Sequence, residues 1–297
     1  NRRRRLSLTY PRLHSMNDNP SLLLRDVTIC AADTINPSLA ARALDISMSQ
    51  CTFGDAILFT HENVPTRARI APIEPLRSRE AYSAFMLKEL GKFINTPWVL
   101  VAQWDGYVLD ASRWSPTFYE YDYIGAHWPH RPHGVDVGNG GFSLRSARLL
   151  RALADERFVV EPNVVEDEAI CQQWRPTLEA QYGIRFAPRE VAGQFSYEAL
   201  PGTRPTFGFH ASYNMWRHVD DSEMMAIMRD IDERTFKSRD SLFLLVAYCK
   251  VHKFACVKAM YARYRTFWNT QEVVDALMKI GFGGEYAQHY VRICEAA

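Results

Sequence analysis

The sequence has no apolar run approaching the ~20 residues that a membrane-spanning helix requires, so no transmembrane segment is predicted. Surplus positive charge is also missing, because 35 Lys and Arg against 34 Asp and Glu leave a net charge of +1. Nucleic-acid binding needs clustered cations that neutralise phosphates, and this composition argues against it. The first residues lack the apolar stretch of a signal peptide, although Asn1 is not an initiator Met and is compatible with a targeting segment cut away before it.

Cysteine is scarce and shows no pairing pattern. The 6 cysteines are scattered without a Cys-x-x-Cys pair, and most stand among apolar residues, as Cys30 does in VTICAA. Such residues are predicted to be buried free thiols. Free thiols favour a reducing compartment, so we expect a cytoplasmic protein, or one held at the periphery of a membrane.

Short apolar runs alternate with amphipathic stretches over the first half of the chain. Strands are predicted near 26–32, 56–60, 98–103 and 139–144. Asn36 and Pro37 are predicted to open a helix that Gly54 ends, and a second helix is predicted over 78–94. This alternation predicts an α/β fold with a mixed, mainly parallel sheet flanked by helices.

The residue composition and periodicity change along the chain and predict three segments. Residues 1–24 mix Arg, Pro, Asn and Ser without periodicity and are interpreted as a flexible arm. Residues 25–215 are predicted to form the α/β domain. Residues 216–297 carry helical periodicity without strand signals, which predicts an all-helical C-terminal module.

Polar residues interrupt the apolar pattern at several places that could carry chemistry. Asp105 ends a predicted strand, where an acid is costly to bury unless it is solvated, paired or bound to a metal. A Gly-rich stretch spans 138–141, three acids stand in a row at 166–168, and His210 ends an aromatic stretch. Each also has an ordinary explanation. Asp105 is then a residue of a helix cap or turn, and the glycines allow close backbone packing. The three acids then form a solvated helix N-terminus, and His210 is a half-buried imidazole.

The order of these elements resembles the GT-A glycosyltransferases, in which a DxD element, a Gly-rich loop, an xED element and a late His follow one another. The stretches YSAFMLKEL, VAQWDGYVLD, YDYIGAHWP, VGNGGFSLRS and VEDEAIC are similar to a functionally uncharacterised bacterial and fungal family assigned to that fold. The resemblance runs from about Asp26 to His210. It implies a GT-A (Rossmann-like) sheet and transfer of a sugar from a nucleotide-sugar donor, a UDP-sugar being favoured, to a glycan, lipid-linked glycan or protein acceptor.

The resemblance also implies roles for individual residues. Asp105 matches the last acid of DxD and, with His210, would hold a divalent cation, Mn²⁺ or Mg²⁺, at the diphosphate. Asp167 matches the general base of inverting members, and Glu166 would orient the acceptor or the donor. The implied donor-binding residues are Asp33, Gln103, Trp104, Asp105, Asn139, Gly140 and Gly141.

The sequence departs from DxD at Gln103, where the first Asp of the motif usually stands. A neutral amide can hydrogen-bond a ribose, but it weakens the case for tight metal binding. The alternatives are a retaining glycosyltransferase, a nucleotidyltransferase on a related sheet, and a catalytically silent carbohydrate- or partner-binding protein. A nucleotidyltransferase should carry a Gly-rich, basic signature after the first strand, and AADTINP lacks it.

Three histidines occur in the segment HWPHRPH, and these are His127, His130 and His133. Their spacing invites a zinc hypothesis, but Pro129 and Pro132 prevent a regular helix, so the rings would not share a helical face. The alternatives are a mobile loop over the donor, with Trp128 as a stacking surface for a sugar, and a plain surface loop.

Overall fold

The computed structural model describes residues 22–199 and 204–297. Its strands are β1 (Leu22–Ala32), β2 (Cys51–Thr60), β3 (Arg69–Pro72), β4 (Trp98–Val101), β5 (Tyr123–Ile124), β6 (Ser143–Ser146), β7 (Ser196–Tyr197) and β8 (Gly208–Phe209). Its α-helices are α1 (Pro37–Gln50), α2 (Arg79–Ala84), α3 (Ala147–Leu153), α4 (Glu166–Glu168), α5 (Arg175–Tyr182), α6 (Arg189–Phe195), α7 (Asp221–Asp230), α8 (Glu233–Phe236), α9 (Arg239–Lys250), α10 (Phe254–Tyr264), α11 (Thr270–Lys279) and α12 (Gly284–Ala296). The arm predicted over 1–24 lies outside the described residues, except that 22–24 already belong to β1.

A mixed six-stranded sheet, ordered β3-β2-β1-β4-β6-β5, forms the centre of the α/β part. β1 pairs in parallel with β2 and β4, and β2 with β3, whereas β6 runs antiparallel to β4 and β5. Residues 27–31 of β1 are buried without interruption, as expected of a central strand covered on both faces. Leu44 of α1 packs in a core with Ile29, and Met86 packs in another core with Cys30 on the opposite face. The predicted mixed, mainly parallel sheet flanked by helices is confirmed.

Several boundaries differ from the sequence prediction. Gly54 lies inside β2 instead of ending α1, which stops at Gln50. A Cβ at Gly54 would lie 2.0 Å from the backbone oxygen of Arg25, beside a register shift between β1 and β2. The glycine therefore allows a close approach of two strands. The helix predicted over 78–94 is α only at α2 and continues as a π-helix and a 3₁₀ turn to Lys92.

Asn36 precedes α1 as predicted, but its side chain does not cap the helix. Asp33 stabilises the turn before the helix, since its Oδ1 accepts hydrogen bonds from the backbone N–H groups of Ile35 and Asn36 at 2.8 and 2.7 Å. The Asn36 amide instead donates to Thr235 Oγ1 and accepts from the N–H of Asp232, both at 2.9 Å. It thus joins the start of α1 to the helical C-terminal part.

Residues from Ser212 onward form a 3₁₀ segment (Ser212–Arg217) followed by α7 to α12, which confirms the predicted helical C-terminal region. Apolar side chains of these helices share one core with Tyr107 and Phe209 of the α/β part. The 6 cysteines are free and buried, as predicted. In residues 22–199 and 204–297 no helix has the length and apolar character needed to cross a membrane.

Candidate functional site

Two neighbouring parallel strands, β1 and β4, end at the same edge of the sheet. The chain after β4 hydrogen-bonds to β1 from Ala102 N to Cys30 O at 2.8 Å and then turns sharply. The backbone groups of Gln103 and Gly106 bond to each other at 3.2 and 3.0 Å across that turn. Trp104 and Asp105 therefore stand at the tip of a closed turn whose position is set by the central strands.

Asp105 is 5% exposed, and only one of its two carboxylate oxygens accepts a hydrogen bond. Its Oδ2 accepts a hydrogen bond from the backbone N–H of Ser212 at 2.9 Å. Its Oδ1 is buried and has no hydrogen-bond partner among the described residues, and it lies 3.5 Å from Nε2 of His210. A buried carboxylate oxygen without a hydrogen-bond donor is costly unless a positive charge lies beside it, and here the His210 ring stands at ion-pair distance.

His210 stands between acceptors on both sides of its ring. Nε2 lies 3.1 Å from Oε1 of Gln103, and Nδ1 lies 3.1 Å from Oε1 of Glu198. Burial lowers the pKa of His210, but the negative charges of Asp105 and Glu198 raise it by more than burial lowers it. The pKa of His210 therefore lies well above its ordinary value. Asn139 Nδ2 also lies 3.1 Å from Nδ1, and the charged carboxylate is the stronger partner of a protonated nitrogen.

The Gly-rich stretch is a tight loop before β6, so the strand predicted over 139–144 begins only at Ser143. Asn139 adopts a φ of +64°, and its Oδ1 accepts from the N–H of Phe142 at 3.3 Å. A Cβ at Gly141 would lie 2.0 Å from Nε2 of His210. The missing side chain at Gly141 is what allows the imidazole to lie against the loop.

Glu166 and Arg145 form a buried ion pair beneath this loop. The two side chains are 6% and 0% exposed and lie 2.6 Å apart at Oε1 and Nη2. Arg145 also donates to the carbonyl of Gly140 at 3.3 Å and to Ser143 Oγ at 3.0 Å. The Glu166 carboxylate is thus engaged with Arg145 and supports the loop from below.

Asp167 holds the same loop from the side. Its Oδ2 accepts from the N–H of Gly140 at 2.9 Å and its Oδ1 from the N–H of Glu168 at 2.8 Å. Burial, and then repulsion from Glu166, raise the pKa of Asp167 to about 7, although the backbone bond from Gly140 opposes the shift. These contacts differ from those of a solvated helix N-terminus, and a pKa near neutrality suits a general base.

A pocket of about 250 Å³ opens beside this cluster and is lined by Asp33, Tyr82, Gln103, Trp104 and Thr235, among others. Gln103 joins the pocket to the cluster around His210, because its Nε2 donates to the Tyr82 hydroxyl at 2.8 Å and its Oε1 faces the His210 ring. Burial raises the pKa of Asp33. The structure therefore brings three predicted donor residues into one pocket and the remaining predicted residues into an adjoining cluster.

The histidine-containing loop does not join this cluster. Trp128 is 6% exposed and packs in a core with Phe158, so the idea that its ring offers a stacking surface to a sugar is wrong. His127 Nε2 lies 3.3 Å from Asp136, whereas His130 and His133 are exposed. Within the described parts of the chain no three His, Cys, Asp or Glu side chains are arranged to hold a metal ion. A cation at Asp105 and His210 would need further ligands from a bound diphosphate and water.

The chain matches one family model by sequence and resembles solved structures of glycosyltransferases at low identity. Residues 66–210, just under half of the chain, match the model of a family described as proteins of unknown function, DUF5672. No curated protein matches. A solved glycosyltransferase involved in glycosylation of the major capsid of PBCV-1 is 14% identical, with a TM-score of 0.39 over 67% of this chain and 96% of that one.

The galactosyltransferase LgtC, solved with donor and acceptor sugar analogues, is 15% identical, with a TM-score of 0.39 over 62% of this chain and 86% of that one. An active-site mutant of LgtC is 13% identical, with a TM-score of 0.40 over the same shares. Similarities this low establish neither an activity nor a substrate for the chain.

Three residues that the sequence analysis missed shape the cluster. Glu198 follows a two-residue strand, and nothing in SYEAL distinguishes it from a surface acid. Asn214 Nδ2 donates to the carbonyls of both Glu198 and His210 at 2.8 Å and holds their backbones together. Arg145 lies within the quoted stretch VGNGGFSLRS, but its burial follows from the sheet and not from any local pattern.

Proposed function

We propose that the chain is a metal-dependent, inverting glycosyltransferase that moves a sugar from a nucleotide-sugar donor, with UDP-sugars favoured, to a hydroxyl group of an acceptor. The observation that carries this proposal is the buried Oδ1 of Asp105, which lacks a hydrogen-bond donor and faces His210 at 3.5 Å. Asp167, a carboxylate with a pKa near neutrality, is anchored to the glycine loop against which His210 lies.

The pocket beside the cluster suits the nucleoside end of the donor. Its volume of about 250 Å³ is below the roughly 300–1,000 Å³ typical of sites for drug-sized ligands, so it would hold part of a nucleotide-sugar. Oδ2 of Asp33 would accept from a ribose hydroxyl, and Trp104 supplies a flat ring. Gln103 lines the same pocket, with its Oε1 turned to His210. Asn139, Gly140 and Gly141 would let the sugar pass close to the backbone.

Asp105 and His210 fit a divalent cation, Mn²⁺ or Mg²⁺, in the chemistry of their atoms. When bound, the cation would neutralise the charge of the leaving nucleoside diphosphate. Asp105 and Glu198 favour the doubly protonated ring of His210, so the cation would displace the proton from Nε2 while Glu198 keeps the proton on Nδ1. Glu198 is therefore a positioning residue in this proposal.

Asp167 would take the proton from the acceptor hydroxyl while that oxygen attacks the anomeric carbon and the diphosphate leaves from the opposite face. Its pKa of about 7 leaves a substantial fraction ionised near neutral pH. Glu166, paired with Arg145, would fix the Gly-rich loop to which Asp167 is hydrogen-bonded and would act on the substrates only through it. A single displacement of this kind inverts the anomeric configuration.

The test is binding of UDP measured by thermal denaturation with Mn²⁺ and with chelator. Ligand at 100 times its Kd should add about 2.7 kcal/mol to the free energy of unfolding. Asp105→Asn keeps a bond from Ser212 but removes the charge, and should lower affinity for UDP with Mn²⁺ at least tenfold without changing the fold. Equal stabilisation in chelator, or by the variant, would show that the metal assignment is wrong.

A catalytically silent carbohydrate-binding protein is the second candidate. It is favoured by Gln103, whose Oε1 lies at hydrogen-bond distance from Nε2 of His210 and competes there with a cation. Hydrolysis of UDP-glucose and UDP-galactose with and without Mn²⁺ separates the two candidates. Metal-dependent release of UDP supports the transferase, and binding without any turnover supports the silent protein.

A further inference from the structure

The pocket that would hold the nucleoside is lined in part by the helical C-terminal region. Thr235, in α8, lines it, whereas the other lining residues lie between Ala31 and Trp104 in the α/β part. The helical region thus brings a hydroxyl-bearing residue to a pocket that lies at the edge of the sheet.

The amide of Asn36 decides how the Thr235 hydroxyl is bonded. The Asn36 Oδ1 accepts from the backbone N–H of Asp232 at 2.9 Å, and an N–H group can only donate, so the amide cannot be turned around. Its Nδ2 therefore donates to Thr235 Oγ1, also at 2.9 Å. A hydroxyl that accepts one bond keeps its own proton for a second partner. Within residues 22–199 and 204–297 no acceptor is bonded to that proton.

Thr235 is also held in place before any ligand arrives. Its carbonyl accepts from Ser241 Oγ at 3.0 Å. The neighbouring Phe236 is fully buried, and its ring centroid lies 4.4 Å from that of Tyr264. The Tyr264 hydroxyl donates to the carbonyl of Phe236 at 3.0 Å. Because a group fixed in this way loses little conformational entropy when it bonds a ligand, α8 presents a preorganised hydrogen-bond donor.

Asp33 supplies the matching acceptor. Its Oδ1 accepts from two backbone N–H groups, one of them that of Asn36 at 2.7 Å, whereas its Oδ2 has no donor among the described residues. Asp33 and Thr235 are thus bonded to the same residue, one to its backbone N–H and the other to its side-chain amide. A free acceptor and a free donor beside one residue suit two neighbouring hydroxyl groups, since one can donate while the other accepts. The ribose of a nucleotide carries such a pair, and deoxyribose does not.

We infer that Thr235 donates a hydrogen bond to the ribose of the donor nucleotide and, together with Asp33, selects ribonucleotides over deoxyribonucleotides. The inference rests on the proposed function, because that function puts a nucleoside in this pocket. The helical C-terminal region is then part of the donor site, and Thr235 is a residue that determines its specificity.

The test is calorimetric titration of the whole chain with UDP, 2′-deoxy-UDP and 3′-deoxy-UDP in the presence of Mn²⁺. Each analogue lacks one ribose hydroxyl and should bind roughly three- to tenfold more weakly than UDP, as expected for the loss of one hydrogen bond. Thr235→Val keeps the shape of the side chain without the hydroxyl and should bind UDP weaker by a similar factor. One of the two analogues should then bind this variant as tightly as UDP does, because the hydroxyl that it lacks has already lost its partner. Thr235→Ser keeps the hydroxyl and should retain the full difference.

Thr266→Val is the matched control, since it removes an exposed hydroxyl of the same helical region outside the pocket, and it should leave all three affinities unchanged. Thr235→Val also removes the acceptor of the Asn36 amide, so thermal denaturation without ligand measures the structural part of its effect. A purely structural role would weaken binding of UDP and of both analogues by the same factor, and that result would overturn the inference. Equal binding of UDP and both analogues to the unchanged chain would overturn it as well.

Failure of the inference and failure of the proposed function give different results. If UDP does not bind the unchanged chain with Mn²⁺, the proposed function fails and the inference falls with it. If UDP binds with Mn²⁺ and Thr235→Val keeps the full preference for UDP over both analogues, the proposed function stands and the inference alone is refuted.

Discussion

Replacing Asp167 by Asn removes a charge while keeping the size of the side chain. The carboxylate accepts two backbone N–H groups, from Gly140 at 2.9 Å and from Glu168 at 2.8 Å. An Asn side chain can keep one of these bonds, and the loss of the other costs about 1 kcal/mol. The variant therefore tests the charge more than the shape of the loop.

The charge has a calculable effect on stability. Burial and the neighbouring Glu166 raise the pKa of Asp167 from 3.8 to about 7, and that separation corresponds to roughly 4 kcal/mol. Partial solvent access reduces the effect to roughly 2–4 kcal/mol. Because the folded state holds the proton more tightly than the unfolded chain, stability falls as pH rises from about 4 to 7. Asn cannot ionise and does not contribute to this fall.

The assay is urea denaturation of the unchanged chain and of Asp167→Asn at pH 5 and pH 8, without metal or nucleotide. At pH 5 the unfolded chain has already released the proton while the folded chain keeps it, so the variant should be within about 1 kcal/mol of the unchanged chain. At pH 8 it should be the more stable of the two, a relative gain of roughly 1–3 kcal/mol, because only the part of the window above pH 5 contributes. Glu161→Gln, which removes an exposed acid, should show no such change.

Turnover gives the second measurement on the same variant. If Asp167 is the general base, Asp167→Asn should lower the rate of donor turnover roughly 10²–10⁴-fold, with little change in affinity for UDP. A stability difference that is the same at pH 5 and pH 8 would show that the carboxylate is not held with a raised pKa. Unchanged turnover, or a product of retained anomeric configuration, would refute its role as base.

Other predictions concern the supports of the cluster. Gly141→Ala adds a Cβ 2.0 Å from Nε2 of His210, so Mn²⁺-dependent affinity for UDP should fall at least tenfold by calorimetry; Gly193→Ala, with open space around its Cβ, should leave affinity unchanged. Arg145→Met leaves Glu166 buried without its cation and should cost about 3–5 kcal/mol in urea denaturation; adding Glu166→Gln should recover part of that loss, and no recovery would contradict the ion-pair argument.

The alternation of strands and helices could be read from the sequence because apolar periodicity is a local property. It predicted the central strands β1, β2 and β4 and the helices of the C-terminal region. The short edge strands β3 and β5 carry too few residues for a period to show. Gly54 was misinterpreted because a glycine that ends a helix and one that lets strands approach look alike in sequence.

The candidate site divides in the same way. The sequence by itself determined that Asp105 closely follows a strand and that Asp167 lies in the first turn of a helix, because those positions depend on neighbours along the chain. Only the tertiary structure decided that Glu198 faces His210 and that Trp128 is buried, since contacts between distant segments set the partners and burial of a side chain. Arg145 shows the reason most directly: an arginine is fully buried only where the fold brings Glu166 to within 2.6 Å of it.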